Sequence, residues 1–248
     1  DASAVAKDEI KYPIIQKTRT GGYDGKGVQL LKTAQTSFDA PNLCEELVDF
    51  DKELSIIVAR NKKGQIKCFP SVECEFNPEA NLVEYLFSPA AISIDIEEKA
   101  NAIAADLIQK LDMVGLLAVE FFLCKDGSLL VNEVAPRPHN SGHHTIECCG
   151  TSQYAQHLRS ILNLPLGETK LLQPGAMINL LGEKGFSGPV IYDGLDRILE
   201  LPGVYPHLYG KSETKPFRKM GHITITGESL TQVREIADQV KEKIKVKA

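Results

Sequence analysis

Residues 116–145 read LLAVEFFLCKDGSLLVNEVAPRPHNSGHHT, and the pairing of two apolar runs in this stretch decides the fold. The runs flank Asp126-Gly127, a dipeptide typical of two-residue hairpin turns, because both central positions of a type I′ turn need positive φ. A turn of that length places Lys125 opposite Ser128, and the remaining cross-strand pairs follow from that register. The sequence therefore predicts an antiparallel hairpin that continues into a polar loop.

In this register two carboxylates oppose each other on one face of the hairpin. Glu120 lies opposite Glu133 in strands otherwise built from leucine, valine and phenylalanine. Like charges opposed on a buried sheet face are destabilising, so either a shared proton or a hard cation such as Mg²⁺ must neutralise them. Alternatively, one glutamate is solvated at a strand end and the other pairs with Arg137. A three-residue turn would oppose Glu120 to Asn132 instead.

An irregular loop follows the second strand, with the sequence APRPHNSGHHT at residues 135–145. Pro136 and Pro138 prevent regular structure, so the loop presents its polar side chains from an irregular backbone. These side chains are Arg137, His139, Asn140, Ser141, His143 and His144. Such a set of donors suits a small oxyanion. A zinc site is the alternative, although the spacing HxxxHH matches no HExxH motif and no cysteine pair accompanies it.

The composition is that of an ordinary globular protein of 248 residues, with 43% hydrophobic and 25% charged residues. A net charge of −5 argues against a protein whose main role is binding nucleic acid. No apolar run approaches the roughly 18 residues that a membrane span needs, so no membrane partner is expected. The six cysteines form no CxxC pair, which indicates reduced thiols in a cytoplasmic protein.

A glycine-rich segment, TRTGGYDGKG at residues 18–27, connects two predicted strands. Its four glycines let backbone N–H groups approach an anion, and Lys17 at the end of the first strand can reach a phosphate. The GxxxxGK[ST] spacing of a Walker A loop is absent. Either the segment binds phosphate or it is a flexible hairpin loop without a ligand.

A helix is predicted to begin near Asp95, which suits an N-cap because Glu98 follows three residues later. Apolar residues recur at helical spacing on one face, and this pattern indicates contact with a core. These residues are Ile96, Ala100, Ile103, Ala104, Leu107, Ile108 and Leu111.

A basic segment lies in the loop-rich part of the chain after residue 174. Four cations occur within nine residues, namely Lys211, Lys215, Arg218 and Lys219. Both a solvated turn and a phosphate site are consistent with such a cluster.

In this order, the features resemble the ATP-grasp family and, within it, the N5-carboxyaminoimidazole ribonucleotide synthetases of purine biosynthesis. The motifs that carry the resemblance are Lys17 with TRTGGYDGKG at 18–27, ELSIIVAR at 53–60, VEF at 119–121, VNEVAPRPHNSGHHT at 131–145, HLRSILNLP at 157–165, MINLLG at 177–182, YGK at 209–211 and RKMGH at 218–222.

The resemblance implies an α/β to α+β chain with the ATP-grasp fold, which consists of two α+β lobes with mainly antiparallel sheets, followed by a small β-rich C-terminal domain. The expected bounds are residues 1–50 for the remainder of the small lobe, 51–165 for the large lobe and 174–248 for the C-terminal accessory domain.

The resemblance also implies an enzyme, a carboxylating ligase that needs ATP and Mg²⁺. Its reaction uses bicarbonate to convert 5-aminoimidazole ribonucleotide to N5-carboxyaminoimidazole ribonucleotide, with release of ADP and phosphate. The alternatives are another ATP-grasp ligase, such as the formate-dependent glycinamide ribonucleotide transformylase, and a non-catalytic nucleotide-binding fragment. A homodimer is expected from the family.

Individual roles follow from the same resemblance. The residues expected to bind ATP are Lys17, Gly22, Tyr23, Asp24, Gly25, Lys26, Gly27, Val28, Glu45, Glu46, Leu47, Val48, Glu53, Asn132 and Glu133. The residues expected to orient the imidazole and bicarbonate are Tyr23, Asp24, Lys26, Arg137, His139 and Asn140, with Asp24 accepting the amine proton. The residues expected to bind the ribose 5-phosphate are Lys211, Arg218 and Lys219. The expected Mg²⁺ ligands are Glu120 and Glu133.

Some features depart from the family pattern. The N-terminal domain of the family and the first part of its small lobe have no counterpart in the chain, so we expect the chain alone to turn over poorly. Phe76 stands where some relatives have a histidine near the nucleotide, and KPFRK at residues 215–219 replaces the commoner RPGRK.

Overall fold

The structure, a computed structural model, describes residues 11–22, 27–33, 41–77 and 82–248 of the chain. Two compact units are present, one formed by residues 1–50 with 76–82 and the other by residues 51–75 with 83–248. The predicted site residues Tyr23, Asp24, Gly25 and Lys26 lie outside the described residues. No helix in the described ranges is long and apolar enough to cross a bilayer.

The smaller unit contains a three-stranded antiparallel sheet, in which β1 (Ile14–Thr18) lies between β2 (Val28–Leu31) and β3 (Asn42–Glu46). The N–H of Thr18 donates to the carbonyl oxygen of Gly27 at 2.8 Å and closes the base of the glycine-rich segment. Gly27 has a φ of +78°, and an added Cβ would collide with the hydroxyl of Thr18. Only glycine fits this position.

The larger unit is built on a sheet of nine strands, counted among the described residues. The strands that precede the loop at residues 135–145 are β4 (Phe50–Arg60), β5 (Ile66–Cys68), β6 (Val72–Asn77), β7 (Leu82–Ser88), β8 (Gly115–Cys124) and β9 (Leu129–Ala135). The later strands of this unit are β10 (Gly175–Leu181), β11 (Gly188–Pro189), β12 (Ile191–Asp193), β13 (Val204–Leu208), β14 (Glu213–Thr214), β15 (Lys219–Thr226) and β16 (Lys245–Lys247). Of these, β11 with β14 and β12 with β16 form two separate two-stranded sheets. The order in the main sheet is β13-β15-β10-β7-β6-β4-β8-β9, and β5 pairs with β4.

Five α-helices are described, namely α1 (Ile94–Lys110), α2 (Thr145–Cys148), α3 (Gln153–Ile161), α4 (Leu195–Leu199) and α5 (Leu230–Lys243). The N-cap of α1 is Ser93, whose side chain accepts from the N–H of Ile96, so the prediction of Asp95 as N-cap is wrong. Ser93, a shorter polar side chain two residues earlier, caps the free N–H groups at the start of the helix.

Helix α1 covers one face of the main sheet, which we call the back face. The buried side chains of β4 and β8 that contact it are Leu54, Ile56, Val58, Leu117, Val119, Phe121 and Leu123. From α1 they meet Ala100, Ala104 and Ile108, which confirms the predicted apolar stripe as a core contact except at Leu111, which is 57% exposed. Because side chains alternate along a strand, the intervening residues point to the opposite face, which we call the front face. The apolar ones among them are Ile57, Ala59, Leu116 and Ala118.

The strands β10, β13 and β15 extend the same sheet but have a core of their own, in which α5 packs on β10 and β15. The fully buried members of this core include Ala176, Met220 and Ile223. The sheet is therefore continuous across the two segments predicted as separate domains, while each segment buries its own apolar cluster.

Candidate active site

The hairpin turn is one residue longer than predicted. The N–H of Cys124 donates to the carbonyl oxygen of Ser128 at 2.9 Å, and the N–H of Gly127 donates to that of Cys124 at the same distance. Only Gly127 has a positive φ, at +80°, whereas a type I′ turn needs one at Asp126 as well. The carboxylate of Asp126 accepts from the N–H of Ser128 at 2.9 Å and stabilises the longer turn. The predicted pairing of Lys125 with Ser128 is therefore wrong.

A β-bulge nevertheless restores the predicted opposition of the two glutamates. Phe121 lies opposite Val131, so a regular ladder would place Asn132 opposite Glu120. The register shifts at this point, Asn132 becomes the extra residue, and Glu133 lies opposite Glu120. Because a shift of one residue turns a strand's side chains to the other face, the bulge is what brings Glu133 to the face of Glu120. The predicted Glu120–Glu133 pair is confirmed.

Glu120 lies on the front face, with its side chain 18% exposed. Burial raises its pKa to about 7, and the carboxylates of Glu133 and Glu53 contribute to the rise. The positive charges of Lys219 and Arg137 oppose it. A proton is therefore bound more tightly here than at an ordinary carboxyl group, and a cation would compete with it for the same oxygens.

The donor set of this pair fits a hard divalent cation. Among the described residues, no group of three or more His, Cys, Asp or Glu side chains is arranged to hold a metal ion by itself. A structural zinc site needs four protein ligands, whereas Mg²⁺ takes one or two carboxylates and completes its shell with water and phosphate oxygens. Two opposed carboxylates such as Glu120 and Glu133 suit the second kind of site.

Two serines attach residues 135–145, which we call the oxyanion loop, to the front face. Oγ of Ser141 lies 2.7 Å from Oγ of Ser55 on β4 and 2.9 Å from Nδ1 of His139. Nε2 of the same imidazole lies 3.7 Å from the carboxylate of Glu120. This chain of contacts brings His139 beside the carboxylate pair.

The other two predicted oxyanion-loop residues differ in their surroundings. Asn140 forms a reciprocal amide pair with Asn179 of β10, at 2.8 and 2.9 Å, and Asn179 also donates to the carbonyl oxygen of Val83. Arg137 donates to the carbonyl oxygen of Pro138 at 3.2 Å and is exposed. Asn140 thus ties the loop to the sheet, and Arg137 presents its charge to solvent.

Gln153, the first residue of α3, holds the oxyanion loop from behind and is fully buried. Its Oε1 accepts from the N–H of His139 and its Nε2 donates to the carbonyl oxygen of His139, both at 2.8 Å. Its Nε2 also lies 3.1 Å from Nδ1 of His143. Gln153 could not be identified from the sequence, because nothing in its local sequence distinguishes it from an ordinary helix residue.

Four aromatic rings form a stack beside the loop, which we call the ring stack. Tyr154 lies over His143 with centroids 6.0 Å apart, His143 over His222 at 4.4 Å, and His222 over His207 at 4.5 Å. The hydroxyl of Tyr209 lies 3.1 Å from Nδ1 of His222. The stack therefore links the oxyanion loop to β13 and β15. His222, Thr224 and Thr226 alternate with Ile223 and Ile225, and this polar face was the sequence signal for such a contact.

Three histidines of this region are held neutral. Burial lowers the pKa of His143 and of His144 to about 4, and that of His222 to about 2. Electrostatic repulsion of the protonated form acts in the same direction, from His139 and Lys219 at His143 and from the neighbouring His143 ring at His222. Because burial disfavours the charged imidazolium, these side chains act as neutral donors and acceptors at neutral pH.

These shifts predict a loss of stability in mild acid. The unfolded chain takes up protons on these histidines below pH 6.5, and the folded chain does not until about pH 4, so stability falls as the pH falls through this window. Each such proton contributes about 1.4 kcal/mol per pH unit, and Glu120 offsets one of the three. Urea unfolding at pH 7.0, 6.0 and 5.0 measures the slope. In the His144→Phe variant, the slope of the unfolding free energy against pH should be smaller by the contribution of one proton. An unchanged slope would contradict the assignment.

The basic segment places two of its cations beside the ring stack. Nζ of Lys211 donates to the carbonyl oxygen of Lys219 and lies 5.6 Å from the ring centroid of Tyr209. Arg218 donates to the carbonyl oxygen of Glu213 at 2.7 Å. Lys219 begins β15, where its charge acts on Glu120 and on His143. The structure thus brings Lys211 and Lys219 together beside the front face.

In the smaller unit, Nζ of Lys17 and the carboxylate of Glu45 form an ion pair at 2.7 Å across β1 and β3. Glu46 and Leu47 are exposed, Val48 is half-buried, and Val28 begins β2 with 38% exposure. In the larger unit, Glu53 lies on β4 opposite Cys74.

Two family models match the chain. Residues 1–154 match the ATP-grasp domain, and residues 175–236 match the phosphoribosylaminoimidazole carboxylase C-terminal domain. Over 226 residues the chain is 43% identical to the N5-carboxyaminoimidazole ribonucleotide synthase of Bacillus subtilis, and the match covers 88% of the chain and 57% of that protein.

Solved structures give the same result. The crystal structure of N5-carboxyaminoimidazole ribonucleotide synthetase from Thermotoga maritima superposes with a TM-score of 0.89 at 42% identity, covering 97% of this chain and 64% of that one. N5-carboxyaminoimidazole synthase from Aspergillus clavatus, in complex with ADP and 5-aminoimidazole ribonucleotide, superposes with a TM-score of 0.83 at 31% identity, covering 95% and 63%. The predicted ATP-grasp fold is confirmed by these matches.

Proposed function

The chain belongs to the ATP-grasp family, and from this membership we propose that it acts in the carboxylation of 5-aminoimidazole ribonucleotide. The proposed reaction consumes ATP and bicarbonate and yields N5-carboxyaminoimidazole ribonucleotide, ADP and phosphate, a step of purine biosynthesis. The chain spans 57% of the length of the Bacillus subtilis relative, which carries this activity in its name.

The observation that carries the proposal is the Glu120–Glu133 pair on the front face, with His139 of the oxyanion loop 3.7 Å from Glu120. A reaction that activates bicarbonate with ATP needs a cation site for phosphate oxygens next to donors for a small oxyanion. Both kinds of group stand side by side here.

The proposed Mg²⁺ ligands are Glu120 and Glu133. When bound, Mg²⁺ neutralises the charge of the phosphate oxygens of ATP. The raised pKa of Glu120, about 7, supports this assignment, because a carboxylate left beside two others in a buried position gains most from a cation. Asn132, at the bulge next to Glu133, is proposed to contact the same phosphates.

The remaining roles extend this assignment. In the smaller unit, Lys17 and the glycine-rich segment would bind the phosphates, and residues 45–48 would contact adenine. Glu53 would bind the ribose hydroxyls. Arg137, His139 and Asn140 would orient bicarbonate through their N–H groups, and Asn140 also ties their loop to β10 through Asn179. Asp24 remains the proposed acceptor of the amine proton.

For the substrate's 5-phosphate, we propose Lys211, Lys219 and Arg218. The contact of Lys211 with the backbone carbonyl oxygen of Lys219 supports this role, because it places the Lys211 ammonium group against the strand that carries Lys219. Bicarbonate as co-substrate, a homodimer and a cytoplasmic location also belong to the proposal. All six cysteines are free thiols, which agrees with a reducing compartment.

The proposal predicts a substrate preference that titration calorimetry measures. In the presence of MgADP, we expect 5-aminoimidazole ribonucleotide to bind the chain at least about 30-fold more tightly than glycinamide ribonucleotide, because a site built to hydrogen-bond one substrate rejects an analogue that leaves polar groups unpaired. Equal affinities, or a preference for glycinamide ribonucleotide, would favour a formate-type transformylase. MgADP binding without either ribonucleotide would favour a nucleotide-binding module.

A further inference from the structure

The amide of Gln153 has a fixed orientation, and this determines the protonation of a neighbouring histidine. The backbone N–H of His139 must donate and its carbonyl oxygen must accept, so Oε1 faces the first and Nε2 the second, each at 2.8 Å. One N–H of Nε2 remains, and it points at Nδ1 of His143, 3.1 Å away. Nδ1 of His143 is therefore an acceptor.

Since Nδ1 accepts, a neutral His143 carries its proton on Nε2. Burial keeps this ring neutral, because it lowers the pKa to about 4. The hydroxyl of Tyr154 also lies 3.0 Å from Nδ1, so two polar groups contact this edge of the ring. His143 thus presents an N–H, and not a lone pair, at its other edge.

The direction of that N–H is set by the ring stack. His143 lies parallel to His222, with 20° between the ring planes and 4.4 Å between centroids, while Gln153 and Tyr154 hold its Nδ1 edge. Nε2 has no hydrogen-bond partner among the residues that the structure describes. A donor that is oriented by its neighbours and left without an acceptor is suited to a ligand.

Cationic side chains lie near this ring. Tyr209 meets His143 edge to face, with centroids 6.5 Å apart, and Nζ of Lys211 lies 5.6 Å from the centroid of Tyr209. Lys211 also binds the carbonyl oxygen of Lys219. The positive charge here attracts an anion, and a neutral N–H adds a directional bond without adding repulsion between cations.

We propose that His143 is an oxyanion-binding residue whose Nε2–H donates to an anionic oxygen held beside Lys211 and Lys219. The inference rests on the proposed function for the identity of the natural ligand. This ligand is either the phosphate ester of the ribonucleotide or the co-substrate bicarbonate. The phosphate group is tetrahedral and bicarbonate is planar, and each presents an anionic oxygen to the same donor. Gln153 acts through His143 and is a positioning residue.

The test uses the full chain with ¹⁵N-labelled histidine. Long-range ¹H–¹⁵N spectra at pH 7.5 assign the tautomer of His143, and titrations with inorganic phosphate and, separately, with bicarbonate follow its Nε2 resonance. The affinities for phosphate and for bicarbonate are both measured for wild type and for three variants, His143→Phe, His143→Gln and His144→Phe. The phenyl ring keeps the stack without a donor, and the glutamine amide restores an N–H near the position of Nε2. His144 is the matched control, since it is buried next to His143 but bonds only to the oxyanion-loop backbone.

We expect the proton on Nε2 and a saturable shift with one of the two anions. His143→Phe should weaken that anion's binding about tenfold, the effect of one hydrogen bond to a charged group. His143→Gln should stay within about threefold of wild type, and His144→Phe should match wild type. A proton on Nδ1, no anion binding by wild type, or undiminished binding by His143→Phe would each overturn the inference. A parallel titration with MgADP separates the proposed function from the anion site at His143. If wild type does not bind MgADP, the proposed function is contradicted, while the anion result stands by itself.

Discussion

The double variant Glu120→Gln/Glu133→Gln should bind MgADP roughly 100-fold more weakly than wild type, a loss of about 2.8 kcal/mol. The reason is that amide oxygens keep the shape of both side chains but carry no charge for a hard cation. Titration calorimetry at pH 8.0 measures the effect, because Glu120, with a pKa of about 7, is then ionised. ADP without Mg²⁺ provides the control, and it should bind both proteins about equally.

The single substitution Glu120→Gln should act in the opposite direction on stability. The pKa of Glu120 rises from 4.5 to about 7 on folding, so the folded chain holds this proton more tightly and loses stability as the pH rises through that window. Above pH 7 the cost is about 2–3 kcal/mol. In the absence of Mg²⁺, Glu120→Gln should therefore stabilise the chain against urea at pH 8.0 and have little effect at pH 5.0. Weak MgADP binding combined with lower stability at pH 8.0 would instead indicate a misfolded variant.

The opposing carboxylates were predictable from sequence, but the geometry that opposes them was not. The sequence suggested a two-residue turn, which the Asp126–Ser128 contact replaces with a longer one. The bulge at Asn132 then compensates for the longer turn. A signal for it exists in the sequence, because Val131 and Val134 are three residues apart and break the alternation expected of a regular strand.

The support of the oxyanion loop was harder to predict. The sequence identified the loop by its prolines and donors, and the family resemblance assigned Arg137 and His139. The contacts that fix it come from Ser55, Gln153 and Asn179, which lie between 14 and 86 residues away from their partners in the chain. Such contacts depend on how α3 and β10 pack against the front face, and no local pattern of polar residues determines that packing.

Gly142 provides the second prediction with a large expected effect, because its missing side chain makes room for Gln153. A Cβ added there would lie 2.6–3.0 Å from Oε1, Cδ and Nε2 of Gln153. Gln153 is fully buried and bound to His139 and His143, so it can move only by losing these hydrogen bonds. Gly142→Ala should therefore destabilise the chain by about 2–3 kcal/mol in urea unfolding.

A double-mutant cycle identifies the cause of that loss. If the clash with Gln153 is responsible, Gly142→Ala should cost less than about 1 kcal/mol in a Gln153→Ala background, where the methyl group enters the space that the amide has left. Gly150→Ala serves as the matched control, since its Cβ would meet the carbonyl oxygen of Glu168 at 3.3 Å, a contact that a small shift relieves. Additive costs in the cycle would mean that Gly142 is required for its backbone conformation, and the positioning of the oxyanion loop by Gln153 would then need another explanation. Strong coupling, together with a shift of the His143 imidazole resonances in Gly142→Ala, would tie the packing of one glycine to the donor that His143 presents.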